Sequence, residues 1–319
     1  MYSNAVAIGA DIARNSIRIA VIKSEGEVLH EEVYPFRPKR DRDWLLRKLA
    51  GAIHDIRREV AGNGINPITV GISAKGFVDH LAGIVLGPDQ GIENWINVPV
   101  ARFLNKETGL PVFVGNDANL MTLAEQRYGV AKGFKNVVFV ALRTGIGGGI
   151  IINGNLYRGV NNAGGEIGQM IINFAGGVSD IGIRGSFEHF ASASALVRRY
   201  LEEKGTGHKM KNNITAKDIF ELSYKNDPVA VKVVEENAEL VGIGVANLIT
   251  IFAPQIIVLG GGMTEAHGNY LQMIRESAFA NSLSNCRAKV KIEKAHLGSK
   301  AALIGAAYYS LTRLAGKTI

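Results

Sequence analysis

One junction in the sequence restricts the possible folds more than any other feature. At Gly115-Asn116-Asp117, an apolar run that predicts a core strand at residues 110–114 passes directly into a helical pattern at residues 118–128. Strands that lead into helices are typical of α/β folds, in which ligands bind outside the carboxyl ends of the strands. A lone Asp before a helix can also be a plain N-cap, so other residues must decide the role of Asp117.

Two glycine-rich segments follow, and each stands at the end of an apolar β run. Residues 144–149 predict a hairpin whose backbone amides surround an anion, because glycine lets the backbone approach phosphate oxygens. A structural hairpin has the same composition, so this motif alone does not distinguish anion binding from a structural turn. Residues 260–262 are typical of a nucleotide platform, and a plain strand-to-helix connection is the alternative.

Two further carboxylates accompany Asp117. Glu166 stands next to paired glycines, and Glu188 stands at the start of an apolar helical pattern. Because one carboxylate can accept hydrogen bonds from several hydroxyl groups, three such side chains suit a polyol ligand.

In order and spacing, these elements resemble the ROK family (repressor, open reading frame, kinase) of the actin-like sugar kinase superfamily, over nearly the whole chain. The segment at residues 70–79, followed by Asn94-Trp95, is similar to the sugar-side loop of the family, although Pro is usual where Lys75 stands. The other matching motifs are Asp11 and residues 115–119, 144–149, 165–170, 188, 259–262, 297–298 and 301–307.

The resemblance implies an α/β, actin-like ATPase (ribonuclease H-like) fold of two domains with an interdomain cleft. The expected domains are residues 1–117 with 301–319, and residues 118–300. Periodicity predicts strands at residues 5–10, 16–23, 28–33, 68–72, 136–142 and 149–152, and helices at 44–61, 187–204, 216–224, 228–252, about 267–278 and 301–313.

The function that the resemblance implies is ATP-dependent phosphorylation of a hexose, with glucose and its 6-hydroxyl as the first expectation. Asp117 would be the general base that accepts the proton of the attacking hydroxyl. The residues expected to bind the sugar are Gly76, Asn94, Asn116, Asp117, Glu166, Gln169 and Glu188. Kinases of N-acetylmannosamine or N-acetylglucosamine remain alternatives.

The resemblance also implies a site for ATP and Mg²⁺. The glycine-rich turn at residues 145–149 would hold the triphosphate, residues 260–262 would face the adenosine, and Asp11 would organise Mg²⁺ through water, since that ion dehydrates reluctantly. The expected nucleotide-binding residues are Asp11, Arg14, Asn15, Ser16, Thr144, Gly145, Gly147, Gly148, Gly260, Gly261 and Gly262.

The first nucleotide hairpin departs from the family pattern. It usually reads Asp-x-Gly-Gly-Thr, whereas residues 11–16 read Asp-Ile-Ala-Arg-Asn-Ser. Ala13 adds a Cβ where phosphate approaches, while Arg14, Asn15 and Ser16 could donate hydrogen bonds to phosphate instead. A second hypothesis therefore remains open: a non-catalytic sugar-binding regulator of the same family that has lost its affinity for nucleotide.

The zinc motif of the family is also altered. Many members bind a structural Zn²⁺ through a His and three Cys, but Gln169 stands at the His position, and Ser179, Ile181 and Ser186 fall at about the Cys positions. Cys286 is the only cysteine, so we predict a zinc-free member. The loop at residues 173–185 must then be held by packing, and its glycines predict that it is mobile.

The net charge of +7 raises nucleic acid as a partner. Repressors of the family carry a helix-turn-helix domain ahead of the Asp hairpin, and here the first strand begins almost at Met1, so we expect no nucleic-acid partner. The single cysteine favours the cytoplasm, and no apolar run reaches the roughly 18 residues that span a bilayer. A homodimer is expected, with Gly242 and Gly244 permitting close helix contacts.

Overall fold

This computed structural model of the chain describes residues 4–13, 15–37, 40–87, 92–179, 181–205, 214–265 and 268–317. Two compact units can be separated. The first consists of Met1–Gly133, Asn155–Gly164 and Ser299–Ile319, and the second consists of Phe134–Gly154 and Gly165–Gly298. These units differ from the expected domains, because residues 118–133 belong to the first unit; the domain limits themselves stay a prediction.

The strands are β1 (Val6–Ile12), β2 (Ser16–Lys23), β3 (Val28–Pro35), β4 (Arg40–Asp41), β5 (Val70–Ala74), β6 (Val78–Asp79), β7 (Ile84–Val85), β8 (Ile92–Glu93), β9 (Val112–Asn116), β10 (Val137–Leu142), β11 (Ile146–Ile152), β12 (Asn155–Tyr157), β13 (Ile256–Gly260) and β14 (Lys291–Lys294). The α-helices are α1 (Arg42–Ala61), α2 (Val100–Thr108), α3 (Asp117–Tyr128), α4 (Phe187–Ala191), α5 (Ala193–Glu203), α6 (Ala216–Tyr224), α7 (Pro228–Phe252), α8 (Tyr270–Ala280), α9 (Ser284–Arg287) and α10 (Ala301–Leu314). Short 3-10 helices include Ile167–Gln169 and Gly262–Glu265.

The first unit is built on a sheet in the order β3-β2-β1-β5-β9. β1 pairs with β2 in antiparallel fashion and with β5 in parallel fashion, and β5 pairs with β9 in parallel fashion. Helix α10 packs against β1, β5 and α3. A Cβ at Gly9 or Gly71 would lie 2.1 or 1.9 Å from a backbone carbonyl oxygen of α10, so both strands need glycine to admit this helix.

The second unit repeats this plan with the strand order β11-β10-β13-β14. β10 pairs with β11 in antiparallel fashion and with β13 in parallel fashion. Its core joins the buried faces of these strands to the buried faces of α4 to α8. A Cβ at Gly242 or Gly244 would lie 2.4 Å from the side chain of Ser277 or Phe187, so these glycines serve close packing inside the unit.

Most predicted elements are present, within a few residues of their predicted ends. β2 and α7 have the predicted bounds. The single helix expected at residues 187–204 is wrong, because the chain is extended at Ser192 and two helices, α4 and α5, result. Among the described residues, no helix combines the length and the apolar character that crossing a membrane requires.

Candidate functional site

Asp117 lies at the predicted strand-to-helix junction. β9 ends at Asn116 and α3 begins at Asp117. The N-cap is Asn116, whose Oδ1 accepts the Asn119 N–H at 3.1 Å. The half-buried carboxylate of Asp117 accepts the N–H of Ala118 at 2.9 Å. The capping role thus belongs to Asn116, and the Asp117 carboxylate at the helix N-terminus is suited to a role other than capping.

The sugar-side loop of the first unit is connected to this junction. The Asn116 side-chain amide donates to the carbonyl oxygen of Gly76 at 3.1 Å. Gly76 has a φ of +80°, a conformation that favours glycine. Asn94 is exposed with a φ of +57°, whereas the neighbouring Trp95 is buried in the core. Trp95 therefore packs rather than presents its ring to a ligand.

Asp11 lies near the end of β1 and is buried. Ser73 on the adjacent parallel strand donates its hydroxyl to Asp11 Oδ1 at 2.6 Å, which orients the carboxylate. A carboxylate held in this way suits a water-mediated contact to Mg²⁺. The following turn closes through the Ala13 N–H, which donates to Ser16 O at 3.0 Å. Asn15 and Ser16 flank this turn, and Arg14 lies outside the described residues.

The glycine-rich hairpin of the second unit differs from its prediction in extent. The turn comprises residues 143–145, and Gly147 and Gly148 lie within β11. A Cβ at Gly148 would lie 2.5 Å from the side chain of Ile167 and 2.9 Å from Gly165 O. Packing against the segment that carries Glu166 thus accounts for Gly148. Ala193 at the start of α5 donates its N–H to Arg143 O at 2.9 Å and so helps to hold the turn.

Glu188 packs against the segment that carries Gln169. A Cβ at Gly168, beside Gln169, would lie 2.2 Å from Ile146 O and 3.4 Å from the Glu188 Cβ. Glu188 Oε2 accepts the Ile146 N–H at 2.8 Å. Within the described part of the chain, the buried Oε1 of Gln169 has no hydrogen-bond partner. Such an acceptor costs about 1–3 kcal/mol, which a ligand hydroxyl would recover.

A large cavity of about 760 Å³ opens in the second unit. Thr144 and Gly262, two of the predicted nucleotide-binding residues, line it, whereas Gly260 packs its backbone against the ring of Phe139. The α6 wall was not predicted. Its lining residues recur at the spacing i, i+3, i+4 and i+7, a signal that the sequence contains: Lys217, Phe220, Glu221 and Tyr224.

A small polar cavity of about 20 Å³, the volume of one water molecule, lies in the first unit beside Asn116. His80 and Asn162 line it and share a hydrogen bond between Nδ1 and Oδ1 at 2.5 Å. Burial lowers the pKa of His80 below its ordinary value of 6.5, and the nearby Arg158 guanidinium adds to this effect. The sequence analysis did not predict the pairing of His80 with Asn162, because these residues lie 82 positions apart in the chain.

The residues at the former zinc positions have other partners. Ser179 Oγ accepts the Ile183 N–H at 3.1 Å, Ser186 Oγ caps α4 by accepting the His189 N–H at 3.4 Å, and Ile181 is exposed. Among the described residues, no group of three or more His, Cys, Asp or Glu side chains could hold a metal ion. The zinc-free state and the mobility of the loop stay predictions.

Comparisons with known proteins give one consistent result. The profile of the ROK family matches residues 7–313. A glucokinase of Halalkalibacterium halodurans is 31% identical, over 93% of this chain and 92% of its own length. A xylose repressor of Bacillus spizizenii is 29% identical, over 93% of this chain and 75% of its own length.

A solved structure agrees with these sequence matches. The ROK family glucokinase of Streptomyces griseus, in complex with glucose and AMPPNP, is 31% identical with a TM-score of 0.82. The match covers 96% of this chain and 99% of that protein. The predicted α/β fold of the actin-like ATPase type is confirmed.

Proposed function

Because this chain belongs to the ROK family, we propose that it is a hexokinase-type kinase that transfers a phosphoryl group from ATP to a hexose. The observation that carries the proposal is the cavity of about 760 Å³ that Thr144 and Gly262 line in the second unit. Its volume lies within the usual range for small-molecule sites, and two predicted nucleotide motifs meet on its wall.

Phosphoryl transfer has a loose transition state, so the protein acts mainly by aligning the reactants and neutralising charge. Asp117 accepts the proton of the attacking hydroxyl. Hydrogen bonds to the sugar hydroxyls come from the predicted sugar-binding side chains, Asn94, Asn116, Glu166, Gln169 and Glu188, and the unpartnered Oε1 of Gln169 supports such a ligand. Acceptors that a wrong epimer leaves unpaired make the site selective.

The nucleotide binds in the cavity, with its triphosphate at the turn of residues 143–145 and its base towards α6. Asp11, oriented by Ser73, would hold Mg²⁺ through water, and the ion would supply positive charge to neutralise the phosphates. We propose glucose as the hexose and its 6-hydroxyl as the acceptor, because the relatives at 31% identity are glucokinases.

The first test is ADP release from Mg·ATP with glucose, mannose, fructose, N-acetylglucosamine and N-acetylmannosamine. Asp117→Asn should lower turnover on the preferred sugar by about two to four orders of magnitude, because it removes the proton acceptor. Hexose binding, measured by calorimetry, should remain nearly intact.

The matched control is Asp55→Asn, which changes an exposed carboxylate on α1 that pairs with Arg58. This variant should keep full turnover. A fall of less than about tenfold in Asp117→Asn would contradict the assignment of Asp117 as the base.

A second candidate function is a non-catalytic sugar-binding regulator. Two observations favour it: the first hairpin has lost both glycines of the family pattern, and a xylose repressor is 29% identical over 93% of this chain. This function predicts thermal stabilisation by a sugar without turnover on any sugar and without binding of ATP. Turnover on one hexose that disappears in Asp117→Asn would exclude it.

A further inference from the structure

The turn at residues 143–145 is held by the break between α4 and α5. Ser192 is extended there, with a φ of −73° and a ψ of 168°. Because the first N–H groups of a helix lack partners within it, those of Ala193 and Ser194 are available to other acceptors. They donate to the carbonyl oxygens of Arg143 and Thr144, at 2.9 and 3.4 Å. The break that the sequence did not predict thus positions the nucleotide turn.

Glu188, on the short helix before this break, lies directly against the same turn. Its Oε2 accepts the Ile146 N–H at 2.8 Å. A Cβ at Gly145 would lie 2.3 Å from that oxygen, so the carboxylate reaches the backbone only because residue 145 is glycine. Glu188 therefore contacts the turn whose residues Arg143 and Thr144 line the nucleotide cavity.

We propose that Glu188 couples hexose binding to nucleotide binding, with one carboxylate oxygen on the turn and the other on a sugar hydroxyl. The inference rests on the proposed function. A carboxylate has acceptor sites for both contacts at once. When hexose fixes the side chain, the contact of Glu188 with the Ile146 N–H is restrained as well, so less motion of the turn remains for the nucleotide to restrain. The coupling is reciprocal, and nucleotide must strengthen hexose binding by the same factor.

The experiment compares AMPPNP affinity, with Mg²⁺, in the absence and presence of saturating hexose. The probe sugar is glucose, or the sugar that the turnover panel selects. In the unmodified chain we expect affinity to rise about fivefold or more, within the usual range for coupled sites. Glu188→Gln removes the charge and weakens both contacts, and Gly145→Ala puts a methyl group where Oε2 lies. Both variants should reduce this ratio to about one- to twofold.

Glu235→Gln, an exposed glutamate on α7, is the matched control and should keep the full ratio. A merely structural role of Glu188 would lower the melting temperature or both separate affinities while the ratio stayed unchanged, and that result would overturn the proposal. If Gly145→Ala does not fold, Glu188→Gln decides.

The coupling and the kinase activity can be refuted separately. An unmodified chain that turns over hexose and binds AMPPNP, yet shows a ratio of one, refutes the coupling and leaves the kinase intact. A chain that binds AMPPNP or hexose but not both refutes the kinase and the coupling with it.

Discussion

The β1–β2 and β10–β11 hairpins occupy equivalent places in the two units, yet they differ in their glycines. Residues 11–16 contain no glycine, and the Ala13 N–H donates to the carbonyl oxygen of Ser16 across their turn. The β10–β11 hairpin keeps Gly145 and Gly148, because the side chains of Glu188 and Ile167 lie where a Cβ would be. A hairpin therefore needs glycine where another segment lies against its backbone, and loses it more readily elsewhere.

The two units also differ in the volume of their cavities. The first-unit cavity holds about 20 Å³ among polar side chains, and the second-unit cavity holds about 760 Å³ beside α6. The small cavity suits one water molecule, and a hydrogen bond joins His80 to Asn162 in its lining. The large one suits a ligand, which makes the second unit the part of the chain where substitutions should affect nucleotide binding most.

The largest effect should come from adding one methyl group to the second hairpin. Gly148→Ala places a Cβ 2.5 Å from the side chain of Ile167, and overpacking of this kind costs about 1–3 kcal/mol in the free energy of unfolding. Urea denaturation measures this cost. Gly51→Ala in α1, where nothing lies within 4 Å, should instead raise stability by up to about 1 kcal/mol. Equal losses in the two variants would refute the packing explanation.

The second-largest effect should be a loss of nucleotide affinity on substitution of Tyr224. Tyr224 is 74% exposed and lines the large cavity, so its ring can stack on the base. Tyr224→Ala should raise the KM for ATP about tenfold while the KM for hexose stays unchanged, since base stacking on an aromatic ring is worth about 1–3 kcal/mol. Tyr224→Phe keeps the ring and should keep the KM. An unchanged KM for ATP in the alanine variant would show that the base does not bind against α6.

Substitutions in the β1–β2 hairpin should change ATP binding less. Replacing Ala13 and Arg14 together with glycine should strengthen ATP binding about threefold, roughly 0.6 kcal/mol, if the absent glycines weaken the approach of phosphate. Calorimetry with the unmodified chain as reference measures the change. Weaker binding would instead identify Arg14 as a phosphate ligand.

The smallest expected effect concerns pH and the first unit. Because burial lowers the pKa of His80, the unfolded chain binds a proton at this group more readily than the folded chain does. The contribution of neutral His80 to the free energy of unfolding is complete well above pH 6.5. It is lost as the pH falls through the lowered pKa. His80→Gln should flatten the stability profile between about pH 7 and 5. A profile that keeps its slope would assign the acid sensitivity to other groups.

The sequence predicted the elements well where a local pattern is uninterrupted. α7 follows Asp227, whose carboxylate caps it, and its apolar periodicity continues unbroken to Phe252. The pattern at residues 187–204 is equally helical, but Ser192 interrupts it, since the N–H groups beyond it bond to the turn at residues 143–145. A contact with a segment about fifty residues away leaves no periodic signal in the sequence.

By itself, the sequence predicted most of the longer strands and helices, the Asn116-Asp117 junction and the family, because periodicity, capping residues and motif spacing are local properties. Tertiary structure decided the rest: that Asn116 and not Asp117 caps α3, that Gly148 serves packing, that α6 walls the large cavity of the second unit, and that Glu188 contacts the β10–β11 hairpin. These contacts join residues far apart in the chain, and only packing of the folded backbone brings such residues within hydrogen-bond distance.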